Sequence, residues 1–138
     1  MGMMDEAISE YRRVLELDPD HIEAHNNLGV AYRMMGMLEE ALREHERVLK
    51  LKPDDAGTHY NLGLLYLDME DYERAVSEFE RATQLSPGYL SAYKNLGVIY
   101  EDNIGDKEKA LHYYRKYLEL GGDDPRVSEW IKRITGDP

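Results

Sequence analysis

The sequence predicts an all-α protein, a superhelical solenoid of antiparallel helical hairpins closed by a capping helix, on three observations. Pro19, Pro53 and Pro87 stand 34 residues apart; Gly29, Gly63 and Gly97, Tyr32, Tyr66 and Tyr100, and Ala7, Ala41 and Ala75 keep the same interval, with Ala110 one residue late. Each interval holds two apolar stripes at helical spacing. Turn-forming residues punctuate the stripes at matching places. A fixed period of this length marks a repeat protein, whose units bury apolar surface only against their neighbours.

Taken in order, residues 3–17 read as a lone second helix with Ala7, Ile8, Tyr11, Val14 and Leu15 as its apolar face, so 1–21 form a half repeat. Gly2 falls where the closing glycine of a preceding first helix would stand, and the expectation is a piece excised from a longer protein. Full repeats follow over 22–55, 56–89 and 90–123, within one domain spanning 1–138. In each first helix, His25, Leu28, Gly29 and Tyr32 share a face at i, i+3, i+4 and i+7, as do His59, Leu62, Gly63 and Tyr66, then Tyr93, Leu96, Gly97 and Tyr100. The second helices carry Ala41, His45 and Val48, then Ala75, Phe79 and Ala82, then Ala110, Tyr114 and Tyr117. The third repeat holds an extra residue near Asn103-Ile104-Gly105 and a longer exit at Gly121-Gly122-Asp123.

A glycine inside a helix costs about 1 kcal/mol relative to alanine, so its recurrence needs a reason. Close approach of two backbones is the expected one, with Gly29 meeting Ala41, Gly63 meeting Ala75 and Gly97 meeting Ala110. Asp20 with Glu23 forms a capping-box pattern, Gly36 closes a helix, and Asp71 and Asp106 suit the start of the next. Asp124 and Pro125 are a good cap and first-turn pair, after which Val127, Trp130, Ile131 and Ile134 form the apolar face of a capping helix over 124–135.

Composition narrows the partners. The 138 residues are 42% hydrophobic and 33% charged, with a net charge of −11 from 17 basic and 28 acidic side chains. That balance argues against nucleic acid and anionic membranes, which need a basic footprint, and favours a basic or apolar protein segment. There is no cysteine, hence no disulfide or thiolate chemistry. No apolar run reaches membrane-spanning length, and no signal-peptide pattern opens the chain. A cytoplasmic location is favoured, with the periplasm left open because the pattern starts in mid-repeat.

The stretches His25-Asn26-Asn27-Leu28-Gly29-Val30-Ala31-Tyr32 and Tyr60-Asn61-Leu62-Gly63-Leu64-Leu65-Tyr66, with Glu40-Ala41-Leu42, Arg74-Ala75-Val76 and the closing Leu51-Lys52-Pro53, resemble the tetratricopeptide repeat (TPR). The resemblance covers nearly the whole chain. It departs where His25 and His59 replace the bulky aromatic common early in the first helix. It implies a TPR solenoid and a non-catalytic protein–protein interaction scaffold that holds a partner segment in a concave groove lined by first helices.

On the face of each first helix opposite its core stripe, an asparagine recurs at Asn27, Asn61 and Asn95, beside an aliphatic residue at Val30, Leu64 and Val98. An asparagine amide offers an acceptor and two donors, so it can pair with both groups of an extended backbone. Two readings of this face stand: contact with a peptide, or ties between adjacent helices. The candidate partner-binding set is Asn27, Val30, Arg33, Met34, Tyr60, Asn61, Leu64, Asp68, Lys94, Asn95, Val98 and Glu101. Some family members clamp acidic chaperone tails with basic residues in this groove; here the aliphatics and the acids Glu23, Asp68, Glu101 and Asp102 oppose that ligand.

No nucleophile motif, phosphate-binding loop or paired catalytic carboxylates appear, so no catalytic residue and no cofactor is expected. His21 and His25 are spaced i, i+4, yet no third ligand completes a metal site. Histidines on a core face predict instead that acid loosens the domain. Two rival roles are self-assembly through the uncovered face of residues 7–15 and service as the targeting arm of a larger enzyme.

Overall fold

In the computed structural model, which describes residues 2–137, helices α1 (Met3–Leu17), α2 (Ile22–Met34), α3 (Leu38–Leu51), α4 (Ala56–Asp68), α5 (Tyr72–Leu85), α6 (Leu90–Ile99), α7 (Lys107–Glu119) and α8 (Pro125–Thr135) follow one another with no strand among the described residues. Each helix packs on the next in the chain, and α2 also touches α4. The expected all-α superhelix of antiparallel hairpins is therefore present: α2/α3, α4/α5 and α6/α7 are the hairpins, α1 stands before them and α8 behind.

Two apolar clusters make the core. One is built around Leu28, Tyr32, Ala41, Leu62 and Leu65 with Ile8, the other around Phe79, Leu96, Tyr100, Tyr114 and Val127. Val127 is fully buried and Trp130 leans on Tyr114 with ring centroids 5.4 Å apart, so α8 covers the last hairpin through the side chains its pattern marked.

The recurring glycines do mark close approaches, and the nearest atoms to each belong to an aromatic or imidazole ring of the second helix. A methyl group on Gly29 would meet the ring of His45 at 2.6 Å, one on Gly63 the ring of Phe79 at 2.6 Å, and one on Gly97 the ring of Tyr114. The ring of the second helix lies flat across the stretch of first helix that lacks a side chain, while Ala41, Ala75 and Ala110 are fully buried one turn earlier. Each glycine thus makes room for a ring of the second helix. Sixteen residues separate Gly29 from His45 and Gly63 from Phe79, and 17 separate Gly97 from Tyr114. The extra residue is absorbed as a π-helical turn, Tyr100–Ile104, ended by Gly105 at φ 85°. In α8 the corresponding position is Lys132, an exposed lysine that leaves no bed for a further ring.

The turns hold two further surprises. His21, not Asp20, caps α2: its Nδ1 accepts the Ala24 N–H at 3.0 Å, and Asp20 instead accepts from Arg47 at 2.9 Å. The residues at 25, 59 and 93 each bind the carbonyl of the proline six positions earlier, His25 Nε2 to Pro19 at 2.7 Å, His59 Nε2 to Pro53 at 2.9 Å and Tyr93 Oη to Pro87 at 2.8 Å. Each first helix thereby fastens the turn that precedes it. Asp71, Asp106 and Asp124 cap α5, α7 and α8 by accepting the Arg74, Lys109 and Arg126 N–H groups.

Candidate partner-binding surface

The candidate residues lie on α2, α4, α6 and the π-helical turn, at equivalent places in successive hairpins because the helices repeat in register. Asn27, Val30, Asn61, Leu64, Lys94, Asn95 and Val98 are half-buried, Met34 is 65% exposed and Asp68 is exposed. Leu64, Val98 and Tyr60 pack against the second core cluster, so the aliphatics have an inner side in the core and an outer side in water.

Their polar neighbours are partly occupied. Asn95 Nδ2 donates to Tyr60 Oη at 3.0 Å, joining α6 to α4, and the Tyr60 ring stacks on Tyr89 at 4.9 Å. Asn27 and Asn61 have no such side-chain partner among the described residues. Arg33 Nε donates to Asp68 at 2.7 Å, tying α2 to α4 across the surface. Lys94 Nζ donates to Asp124 at 3.2 Å, and Arg126 is the main reason the Asp124 carboxyl sits well below the usual carboxylate range, with Lys94 adding to it. Glu101, whose side chain is only 10% exposed, accepts from Arg133 at 2.6 Å and from the Tyr114 hydroxyl at 3.0 Å. Both bases of the surface are therefore neutralised within the protein, while Glu23 and Asp102 remain exposed and unpaired among the described residues.

Beside α2 the surface deepens into an open slot of about 210 Å³, where Met4, Ala7 and Tyr11 of α1 face Asn27, Val30 and Met34. Sequence reasoning listed both walls without seeing that they face each other; the register of α1 on α2 decides it.

The histidines serve the packing. His25 Nδ1 lies 2.6 Å from Glu44 and His59 Nδ1 lies 2.7 Å from Glu78, so each ring stands between a carboxylate and a proline carbonyl. His45 is fully buried, its Nδ1 3.2 Å from Asn26 Oδ1 and its Nε2 without a partner. Burial, and then the Arg33 charge, lower its pKa to about 4. Among the described residues no group of three or more His, Asp or Glu could hold a metal ion, and no helix is long and apolar enough to cross a membrane.

Comparison with known proteins decides the family. One family model, TPR repeat, matches residues 1–36 and 31–70, and a second, Tetratricopeptide repeat, matches residues 60–125. The chain belongs to the tetratricopeptide-repeat family. No curated protein matches it. Among solved structures, this TPR chain is similar to a crystal structure of MamA, at 28% identity and a TM-score of 0.86 over 96% of this chain and 77% of that one. It is similar also to MamA of Desulfovibrio magneticus RS-1, at 27% identity and a TM-score of 0.77 over 85% and 66% of the two chains. PilF of Pseudomonas aeruginosa, at 23% identity and a TM-score of 0.82 over 98% and 70%, shares the fold. The TPR architecture is that of a protein–protein interaction scaffold, a fold typically without catalysis of its own.

Proposed function

We propose that this TPR module binds a segment of another protein along α2, α4 and α6, with a basic or apolar segment as the preferred ligand. The reading rests on one observation above all: Asn27 and Asn61, at equivalent places in neighbouring hairpins, are half-exposed amides with no side-chain partner among the described residues, each beside a half-exposed aliphatic residue, Val30 or Leu64. Amides so placed are free to take the N–H and C=O groups of an extended chain, and the aliphatics offer a surface to desolvate. Asn95 already spends one N–H on Tyr60, which leaves its carbonyl and second N–H for a ligand. The charge preference follows from Arg33 and Lys94 being held by Asp68 and Asp124, which leaves Glu23 and Asp102 to set the local potential.

The test is selection from a random peptide library on the whole chain, with Asn61→Ala and Val30→Glu as variants. Enriched sequences should carry Lys or Arg beside aliphatic residues and bind the variants at least tenfold more weakly, at unchanged helicity. Peptides that bind wild type and both variants alike would assign the asparagines to structure alone.

A further inference from the structure

Two rings of this array face more acceptors than a neutral imidazole has protons. His25 Nδ1 lies 2.6 Å from a Glu44 carboxylate oxygen, and His25 Nε2 lies 2.7 Å from the Pro19 carbonyl. In the next hairpin His59 repeats both contacts, at 2.7 Å to Glu78 and 2.9 Å to the Pro53 carbonyl. A carbonyl and an ionised carboxylate have no hydrogen to give, and a neutral ring carries a single N–H. Both contacts are bonds only when the ring carries two protons, as an imidazolium beside a carboxylate. The distances to the carboxylates are as short as charge-assisted bonds run. The side chains of His25 and His59 are 10% and 12% exposed, which leaves water little room to supply a missing donor.

The third hairpin provides the comparison. There Tyr93 reaches the Pro87 carbonyl through its hydroxyl at 2.8 Å, one donor for one acceptor. Tyr113, which precedes Tyr114 as Glu78 precedes Phe79, takes the carboxylate's place, its ring 6.5 Å from that of Tyr93. The carboxylate is present beside each histidine and gone beside the phenol. From this pairing we propose that His25 with Glu44 and His59 with Glu78 are proton-operated clasps on the turns that join α1 to α2 and α3 to α4. Closed, each ring grips the turn before it. When one proton leaves to water, the N–H that remains stays on Nδ1 against the carboxylate, and the bare Nε2 then faces the proline carbonyl lone pair to lone pair. The turn is released. The clasps are therefore closed in acid and open as pH rises, the reverse of the effect of burying His45. Tyr93 keeps its own turn fastened across the whole range.

The other charged groups around the rings are largely paired. Among the described residues no second carboxylate lies within 4.0 Å of either ring. Beside His25, α3 brings Arg47, held by Asp20 of the turn at 2.9 Å. Beside His59, α5 brings Arg81, held by Asp54 of the turn at 3.2 Å, and Glu80, which accepts from the Tyr113 hydroxyl; the turn itself adds Lys52 and Asp55, 4.0 Å apart.

The clasp does not rest on the groove reading. It is tested by titrating the intact, isotope-labelled chain from about pH 5 to about pH 8, where histidine side chains titrate. The readouts are the ring nitrogens and the amide exchange of Lys52 and Asp54, set against the equivalent Ser86 and Gly88 and corrected for the intrinsic rate. At the acid end both nitrogens of His25 and His59 should carry a proton, and Nε2 should lose it as pH rises. Protection at Lys52 and Asp54 should fall several-fold at that step and stay level at Ser86 and Gly88. Glu78→Gln distinguishes a clasp from an ordinary structural contact. Its amide can donate to Nδ1, so a neutral His59 keeps Nε2–H on Pro53, and the turn should stop responding to pH. A merely structural glutamate would leave that variant looser at every pH with the response intact. Far-UV spectra establish that the variant folds, and the wild-type ring signals decide the protonation state in either case. A proton lost from Nδ1 instead of Nε2, Lys52 and Asp54 as level as Ser86 and Gly88, or a folded Glu78→Gln chain that responds like wild type would each overturn the proposal.

Discussion

A methyl group on Gly63 would stand 2.6 Å from the ring of Phe79, closer than any real contact, and Phe79 is fully buried. The ring has no vacant place to go. Gly63→Ala therefore sets a better helix propensity, worth about 1 kcal/mol, against overpacking of about 1–3 kcal/mol. We expect a net loss of up to about 2 kcal/mol, read as a lower urea midpoint with an unchanged slope. Combining it with Phe79→Leu should cost less than the sum of the two single losses.

His45 makes the hairpins sensitive to acid. Its folded pKa of about 4 lies below the ordinary 6.5, so the unfolded chain takes up a proton first. The stability it confers is complete above about pH 6.5 and is lost as pH falls toward 4, at about 1.4 kcal/mol per pH unit and roughly 3 kcal/mol in all. His45→Phe, which copies Phe79, should flatten the pH dependence in that window. It also removes the partnerless Nε2, so a higher melting temperature at neutral pH is expected. Parallel acid melts of the two proteins check both points.

Glu70 has φ 59°, in the left-handed region, at the place where Gly36 and Gly105 take φ 76° and 85°. A side chain there costs about 1 kcal/mol. Glu70→Gly should raise the melting temperature by about 3 °C, less whatever the more flexible unfolded chain takes back.

Glu101 holds the capping helix through Arg133 and holds the Tyr114 hydroxyl beneath it. Glu101→Ala should cost about 1–2 kcal/mol by leaving the buried Tyr114 hydroxyl unpaired, and it releases the exposed Arg133 to water. Amide exchange should accelerate first in α8, around Val127 and Trp130. Uniform acceleration along the chain would contradict a local role.

What the sequence disclosed and what it hid divide along a physical line. Features carried by one residue type at a fixed interval were legible: the glycine, proline and tyrosine periods gave the hairpins, and Asp124-Pro125 gave the start of α8. Features that need two helices in register were not. That the His45 ring lies over Gly29 depends on a relative rotation of the two helices that periodicity leaves free. One signal was available, since the extra residue that delays Tyr114 also delays Ala110, keeping the ring and its hairpin together. The grip of His25, His59 and Tyr93 on proline carbonyls left no trace, because a main-chain acceptor has no residue identity. In the candidate surface, the interval found Asn27, Asn61 and Asn95 as equivalents, but only the geometry separates Asn95, bound to Tyr60, from the other two. Likewise Glu101 read as a rim acid and is instead largely buried under Arg133.

The lysine at position 132 gives the array a direction for protein engineering. Grafting another hairpin partner onto the last helix would force an aromatic side chain onto a long cationic one, so lengthening from that side requires Lys132→Gly first.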